Sequence, residues 1–307
     1  MGSDCDDVGA LALLHSFAND GKAKIVGCIY SSGKVPYGAG IINAINTLYG
    51  RPEIPVGADQ EMNFGDPDDK MTAEKLAKDT VAFGNTIVHN KDAEEQTRLN
   101  RRLLANSEDG SITYVTVGHT KGLYQLMKSL PDDISGLNGY DLVKRKVTRW
   151  VALGAINANN ETGDYVKDWN FFFNETAGYT NYLVDSFPND AVFIGCGTDV
   201  LSGKSLKFTE PGNIVRTAYR DWLWNIFGQT LDNQRPSWDL IAIYYAVEGK
   251  GEYLEDMGKG RLIFDPDKGS FWSKEKSLLG HCYIDLKHGV NEAFSEYLNQ
   301  RLKKSLD

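Results

Sequence analysis

Asp4-Cys5-Asp6-Asp7, running straight into Val8-Gly9-Ala10-Leu11-Ala12-Leu13-Leu14, is the stretch that decides how the chain is read. Three carboxylates within four residues repel one another. A hard divalent cation among them reverses the sign of that interaction, because such ions bind through oxygen and dominate the local charge. Asp6 and Asp7 also stand immediately ahead of an apolar run with helical spacing. Carboxylates placed there cap free N–H groups and meet the positive end of the helix dipole. A helix cap with a solvated acidic turn explains one of these acids well and all three poorly.

With 307 residues the chain can bury a large core. Hydrophobic residues make up 41% and charged residues 24%, which suits a globular chain and not a disordered one. A formal net charge of −9 argues against a nucleic-acid partner, which demands clustered Lys and Arg. The most basic stretches, 144–146 and 301–304, are short and read as solvated helix or loop faces. No apolar run is long enough to span a bilayer and no secretory signal is present, so no membrane partner is expected. Cys5, Cys28, Cys196 and Cys282 lie far apart and form no C-x-x-C pair. They read as inert thiols, with Cys28 and Cys196 in buried strands.

Short apolar runs alternate with helical ones, which predicts an α/β fold: a mainly parallel central sheet flanked by helices, in one domain over 1–307. Strands are expected at 23–30, 54–57, 112–117, 147–153 and 191–195, with late candidates at 261–264 and 282–285. Helices are expected after the acidic stretch, at 41–49, 92–105, 176–186, 214–227 and 240–247, from 118–123 onward, and from Val290. The polar segment 63–70 reads as a loop over a pocket. Polar residues recur where a strand gives way to a helix: at 4–7, Lys121, Asp168 with Asn170, and Asp239. In a parallel sheet such junctions share one edge, so these residues are expected to converge on one site.

Gly2-Ser3-Asp4-Cys5-Asp6-Asp7-Val8-Gly9-Ala10-Leu11 resembles the N-terminal signature of inosine-uridine-type nucleoside hydrolases. In that family a first strand ends in Asp-x-Asp, and a Gly-containing turn leads to an Asp-Asp pair opening the first helix. Met1 stands where the family's chain has just left that strand, so the family's general base, the second Asp of Asp-x-Asp, has no counterpart here. Val117-Gly118-His119-Thr120-Lys121-Gly122-Leu123 is similar to the family's Gly-Pro-Leu-Thr-Asn-Leu turn, in which a backbone carbonyl binds calcium. Lys121 takes the Thr position, and its side chain reads as exposed in the first turn of a helix.

Asp168-Trp169-Asn170-Phe171-Phe172-Phe173-Asn174 resembles the family's Glu-Phe-Asn-x-x-x-Asp segment, whose acid and first amide hold ribose hydroxyls. A carboxylate accepts two hydrogen bonds from a vicinal diol, and an amide donates and accepts at once. Without the resemblance, Asn170 between aromatics reads equally well as a satisfied half-buried amide. Asn160, or its neighbour Asn159, takes the place of a further sugar-contacting Asn. Ser237-Trp238-Asp239-Leu240 is similar to the family's His-Asp-Pro-Leu, whose Asp closes the calcium shell. Trp238 replaces a His that serves part of the family as leaving-group acid. Indole gives up no proton near neutral pH, so Trp238 either stacks on a base or fills core. His89 and His119 are the remaining pocket candidates, and Lys34 stands where many relatives have Asn.

The resemblance implies a calcium-dependent N-ribohydrolase that cleaves ribonucleosides to ribose and free base, in purine or pyrimidine salvage. Ca²⁺ held by Asp7, Asp239 and the Lys121 carbonyl would lower the pKa of a bound water and fix it near the sugar. Asp6, Asn160, Asp168, Asn170 and Trp238 would contact substrate, and Asp4 is the only local carboxylate to take the water's proton. Asn170→Ala is expected to weaken ribose binding with little loss of stability. Two rivals keep part of this pattern. One is a calcium-dependent nucleoside or sugar binding protein without turnover, favoured by the missing base and by Trp238. The other is a haloacid-dehalogenase-type phosphotransferase, which needs an apolar strand directly before Asp4. The resemblance further predicts an upstream apolar run ending in Asp-x-Asp, and little or no hydrolysis by the 307 residues alone. A small ribonucleoside is the expected partner. A homo-oligomer, and either a cytoplasmic or a periplasmic location, are compatible with the chain.

Overall fold

The apolar run after Asp7 folds as the helix Asp6–Asn19, and Val8, Ala10, Leu11, Ala12, Leu13 and Phe17 are all buried along it. A helix apolar on nearly every side belongs inside a core. The computed structural model describes residues 1–275 and 280–304, and chain contacts divide them into two compact units. This helix lies in the first, made of residues 1–95, 197–247 and those from His288 onward. It packs against the helices Gly38–Leu48, Ile214–Phe227 and Asn291–Lys304. Gly9 permits one of these approaches, since a Cβ there would stand 2.2 Å from the Tyr219 hydroxyl oxygen.

The first unit also holds a parallel sheet of Cys28–Tyr30, Val56–Ala58 and Glu94–Glu95, in that order. The strand expected over 23–30 is confined to its last three residues. Its partner begins after Pro55, which has no N–H to extend the ladder, although the Pro55 carbonyl accepts from Cys28 at 3.0 Å. The helix expected over 92–105 starts only at Gln96. The Asp92 carboxylate instead accepts the N–H groups of Val88 at 3.2 Å and His89 at 2.8 Å, capping a 3₁₀ turn over Asn90–Asp92. A short antiparallel pair, Leu201–Ser202 with Arg235–Pro236, leads into the helix Trp238–Glu248, where Leu240 through Tyr245 are buried.

The second unit comprises residues 96–196 and 248–287. Its five-stranded sheet runs Ile112–Thr116, Val147–Leu153, Asp190–Ile194, His281–Leu286 and Leu254–Asp256. Every pairing is parallel except the last. The helices Gln96–Ala105, Lys121–Lys128, Gly139–Lys146 and Ala177–Ser186 accompany it, around a core that includes Trp150, Phe171, Phe193 and Tyr283. Arg261–Asp265 pairs antiparallel with Gly269–Ser273. A mixed α/β fold with a mainly parallel central sheet and flanking helices agrees with the sequence reading. The four cysteines are free thiols: Cys28 opens its strand, and Cys196 is buried just past Asp190–Ile194. Among the described residues, no helix is long and apolar enough to cross a membrane.

Candidate metal centre

Two buried helices of the first unit begin on carboxylates. Asp6 and Asp7 occupy the first turn of Asp6–Asn19, and Asp239 that of Trp238–Glu248. Core packing fixes both helices, and one oxygen from each of the three acids comes within 4.8 Å of the others. Asp6 is 3% exposed and Asp239 4%, so water screens little of the repulsion between them. The Asp239 amide N–H donates to Oδ2 of Asp6 at 3.4 Å. The sequence reading assigned Asp7 and Asp239 to a metal and Asp6 to substrate; all three stand together.

Burial pushes the Asp6 carboxyl well above the usual range, and the charges of Asp4 and Asp7 add to it. Burial, then Asp6 and Asp7, do the same to Asp239. Burial also raises Asp7, against the opposing charge of the Met1 α-ammonium 2.9 Å from its Oδ2. Burial and mutual repulsion thus favour protonated forms of the trio, and a bound cation would favour the ionised ones. The donor set fits a hard ion. Every ligating atom is a carboxylate oxygen, and the thiol of neighbouring Cys5 is held well above its ordinary value by burial, so it supplies no thiolate. All-oxygen sets of this kind suit Ca²⁺ or Mg²⁺ better than softer ions.

Asp4 has a different partner. Arg235 donates from Nε to Oδ1 at 3.1 Å and from Nη2 to Oδ2, and the Cys5 N–H donates to Oδ1 at 2.7 Å. The guanidinium carbon lies 4.4 Å from the ring centroid of Trp222 and 4.6 Å from that of Trp238. Both indoles are pinned: Trp222 Nε1 donates to the Ser3 carbonyl at 2.8 Å and Trp238 Nε1 to Thr198 Oγ1 at 3.2 Å. Gly197, at φ +135°, brings the backbone against Trp238, where a Cβ would stand 2.6 Å from the ring. Trp238 is therefore half-buried against Arg235 and does not fill core. Sequence reasoning passed over Arg235, a single arginine in no motif.

Asp168, Asn170, Asn160, Lys121 and His119 lie in the second unit. Oδ1 of Asp168 accepts the N–H groups of Asn170 at 3.0 Å and Phe171 at 2.9 Å, and Oδ2 that of Ala155 at 2.9 Å. Burial lifts the Asp168 carboxyl to about 6 while these backbone donors hold it down. Asn170 Nδ2 donates to the carbonyls of Val117 and Leu153, each at 3.3 Å, so truncating it strands two acceptors. The amide is thus bonded to the protein, which argues for a larger stability cost than the little loss expected for a side chain that only faces a pocket. The Asn160 amide is engaged on both sides by its own loop, accepting from Thr162 Oγ1 and the Asp164 N–H and donating to the Asn157 and Asp164 carbonyls. Lys121 opens its helix as expected, but it is 3% exposed where an exposed side chain was expected. Its turn is covered because the preceding Thr120 hydroxyl bonds Thr176 and Thr180 of the neighbouring helix. His119 is buried there too. In the first unit, His89 Nδ1 caps its turn by accepting the Lys91 N–H at 3.1 Å.

No protein-family model matches the sequence, and no curated protein matches it. Among solved structures, the chain is similar to the inosine-uridine preferring nucleoside hydrolase from Bacillus anthracis, with a TM-score of 0.67 at 14% identity over 99% of this chain and 97% of that one. It is similar to the purine-preferring ribonucleoside hydrolase from Gardnerella vaginalis, with a TM-score of 0.66 at 14% identity over 100% and 97% of the two chains. The type III effector protein XopQ, solved with adenosine diphosphate ribose, gives 0.66 at 12% identity over 100% and 92%. Over nearly its whole length the chain has the fold of the nucleoside hydrolases.

Proposed function

We propose that this chain, built on the nucleoside hydrolase fold, is a Ca²⁺-dependent N-ribohydrolase that converts ribonucleosides to ribose and free base. The observation that carries the proposal is the Asp6–Asp7–Asp239 trio, whose oxygens lie within 4.8 Å of one another at the starts of two buried helices. Two of the solved proteins of this fold are named for ribonucleoside substrates, and the same substrate class is proposed here.

Asp6, Asp7 and Asp239 would hold the ion. When bound, it supplies a water of lowered pKa and an anchor for ribose hydroxyls. Asp6 also accepts from a ribose hydroxyl, and half-buried Trp238 contacts the base. Asp4 would accept the proton of the attacking water. Arg235 occupies both oxygens of Asp4, so the pair must part before the carboxylate can accept a proton, and turnover is slow. The resemblance further assigns a calcium-binding carbonyl to Lys121 and sugar-hydroxyl contacts to Asp168, Asn170 and the asparagines of the 159–160 loop. Of those two, Asn159 is preferred over Asn160, whose amide is engaged by its own loop.

One observation favours a second reading, a calcium-dependent nucleoside or sugar binding protein without turnover. Arg235 occupies both oxygens of Asp4, the carboxylate proposed as the base. Measuring ribose freed from inosine, uridine and adenosine, beside calorimetric binding of the same compounds, separates the two. Release abolished by EDTA supports the hydrolase. Ca²⁺-dependent binding without release supports the binder, and neither response sinks both.

A further inference from the structure

The 3₁₀ turn Lys204–Phe208 and the helix Asn291–Lys304, both in the first unit, form an open groove of about 460 Å³. Asn299, 2% exposed, fastens its walls together. Its Oδ1 accepts the N–H groups of Gly203 at 3.1 Å and Ser205 at 3.3 Å, and its Nδ2 donates to the Leu201 carbonyl at 3.1 Å. The groove is therefore preformed.

Its charge runs against that of the chain. Lys204, Lys207 and Lys303 line it against a single acid, Glu296, in a protein of net charge −9. Lys204 reaches Glu296 only at 3.8 Å, and Glu296 also accepts from Gln300 at 3.1 Å. Lys207 pairs with exposed Asp232 at 2.8 Å and keeps further ammonium hydrogens to donate. Lys303 meets no carboxylate among the described residues. Both Lys207 and Lys303 flank one ring: their Nζ atoms lie 5.1 Å and 5.8 Å from the centroid of Phe208, which is 67% exposed. Beneath them Ser205, 8% exposed, has a hydroxyl with no partner in the protein. Two ammonium groups over a ring that is still 67% exposed match a dianion attached to a flat ring.

We propose that this groove binds a small aromatic phosphomonoester, its phosphate between Lys207 and Lys303 and its ring on Phe208. A phosphomonoester carries about −1.5 to −2 charges at pH 7, which a carboxylate does not. A polyanion is disfavoured by the acidity of the rest of the chain. No residue is shared with the Asp6–Asp7–Asp239 trio, so this site and the proposed hydrolase stand or fall separately.

The test is calorimetric titration of phenyl phosphate at low salt in calcium-free buffer. Saturable binding is expected, weakened at least about tenfold in the double variant Lys207→Gln/Lys303→Gln and about fivefold in Phe208→Ala, with unchanged melting temperatures. Inorganic phosphate and phenol should each bind at least about tenfold more weakly than the ester. A control, Lys22→Gln/Lys24→Gln, should leave affinity unchanged. Absent binding, equal affinity for inorganic phosphate, unaltered binding in both groove variants, or an equal loss in the control would each overturn the proposal.

Discussion

Replacing Asp239 by Asn removes one of three carboxylates whose oxygens lie within 4.8 Å of each other. Two unit charges at 4.8 Å repel by about 3.5 kcal/mol at an effective dielectric constant of about 20. Without a cation, proton uptake relieves part of that repulsion, so the metal-free variant should be at least as stable as the metal-free parent. Calcium at about a hundred times its dissociation constant should add about 2.7 kcal/mol to the parent. An unfolding entropy near 2.1 cal/mol/K per residue, over 307 residues, converts this to a melting shift of about 4 °C. Differential scanning calorimetry in Ca²⁺ and in EDTA reads it directly, with almost no Ca²⁺ shift expected in the variant. The pH dependence has a definite sign. The folded Asp6 and Asp239 carboxyls are raised above their unfolded values, so their contribution in EDTA is intact at low pH and is lost as pH rises above about 4. The gain from calcium grows over the same range, because the ion needs the ionised trio. An equal calcium shift in parent and variant would refute the shared site.

Arg235→Met should cost about 1–3 kcal/mol in urea denaturation, by leaving the part-buried Asp4 carboxylate without its counter-charge; an unchanged midpoint would show that the pair contributes nothing. Asp168→Asn should cost about 1–3 kcal/mol, since an amide NH₂ cannot accept the Ala155 N–H. It should also remove a pH dependence: with the native carboxyl raised to about 6, parental stability from this group falls between about pH 4 and pH 6. A variant with the parent's pH slope would count against that assignment. Asn170→Ala should lose about 1–2 kcal/mol through the carbonyls of Val117 and Leu153, and should also weaken ribonucleoside binding. A pure stability loss at unchanged affinity would make Asn170 structural.

What was legible in the sequence was whatever local chemistry repeats. Asp6, Asp7 and Asp239 each sit in the first turn of an apolar helix, a pattern readable without coordinates. That Asp6 would join the other two was not, because the 4.8 Å grouping depends on how two helices cross. Arg235 had no signal: its position rests on Trp222, Trp238 and Asp4, which converge only in the fold. The helix Gly139–Lys146 was overlooked although its cap is local, with Asn138 Oδ1 accepting the Asp141 N–H at 2.9 Å; the basic residues 144–146 turned out to be its last turn. Strand length failed at 23–30 for the opposite reason, since it was set by the partner's Pro55 and not by the strand's own residues. The burial of Lys121 was likewise a property of the Thr120–Thr176–Thr180 contact and not of any nearby pattern.

The most direct measurement is free ribose released from inosine and uridine by the purified chain, in calcium and in EDTA, with Asp239→Asn run in parallel. A Ca²⁺-dependent N-ribohydrolase gives slow release in calcium that falls to the blank in EDTA and in the variant. Release that persists unchanged in EDTA or in Asp239→Asn, or calcium-dependent nucleoside binding with no release at all, contradicts it.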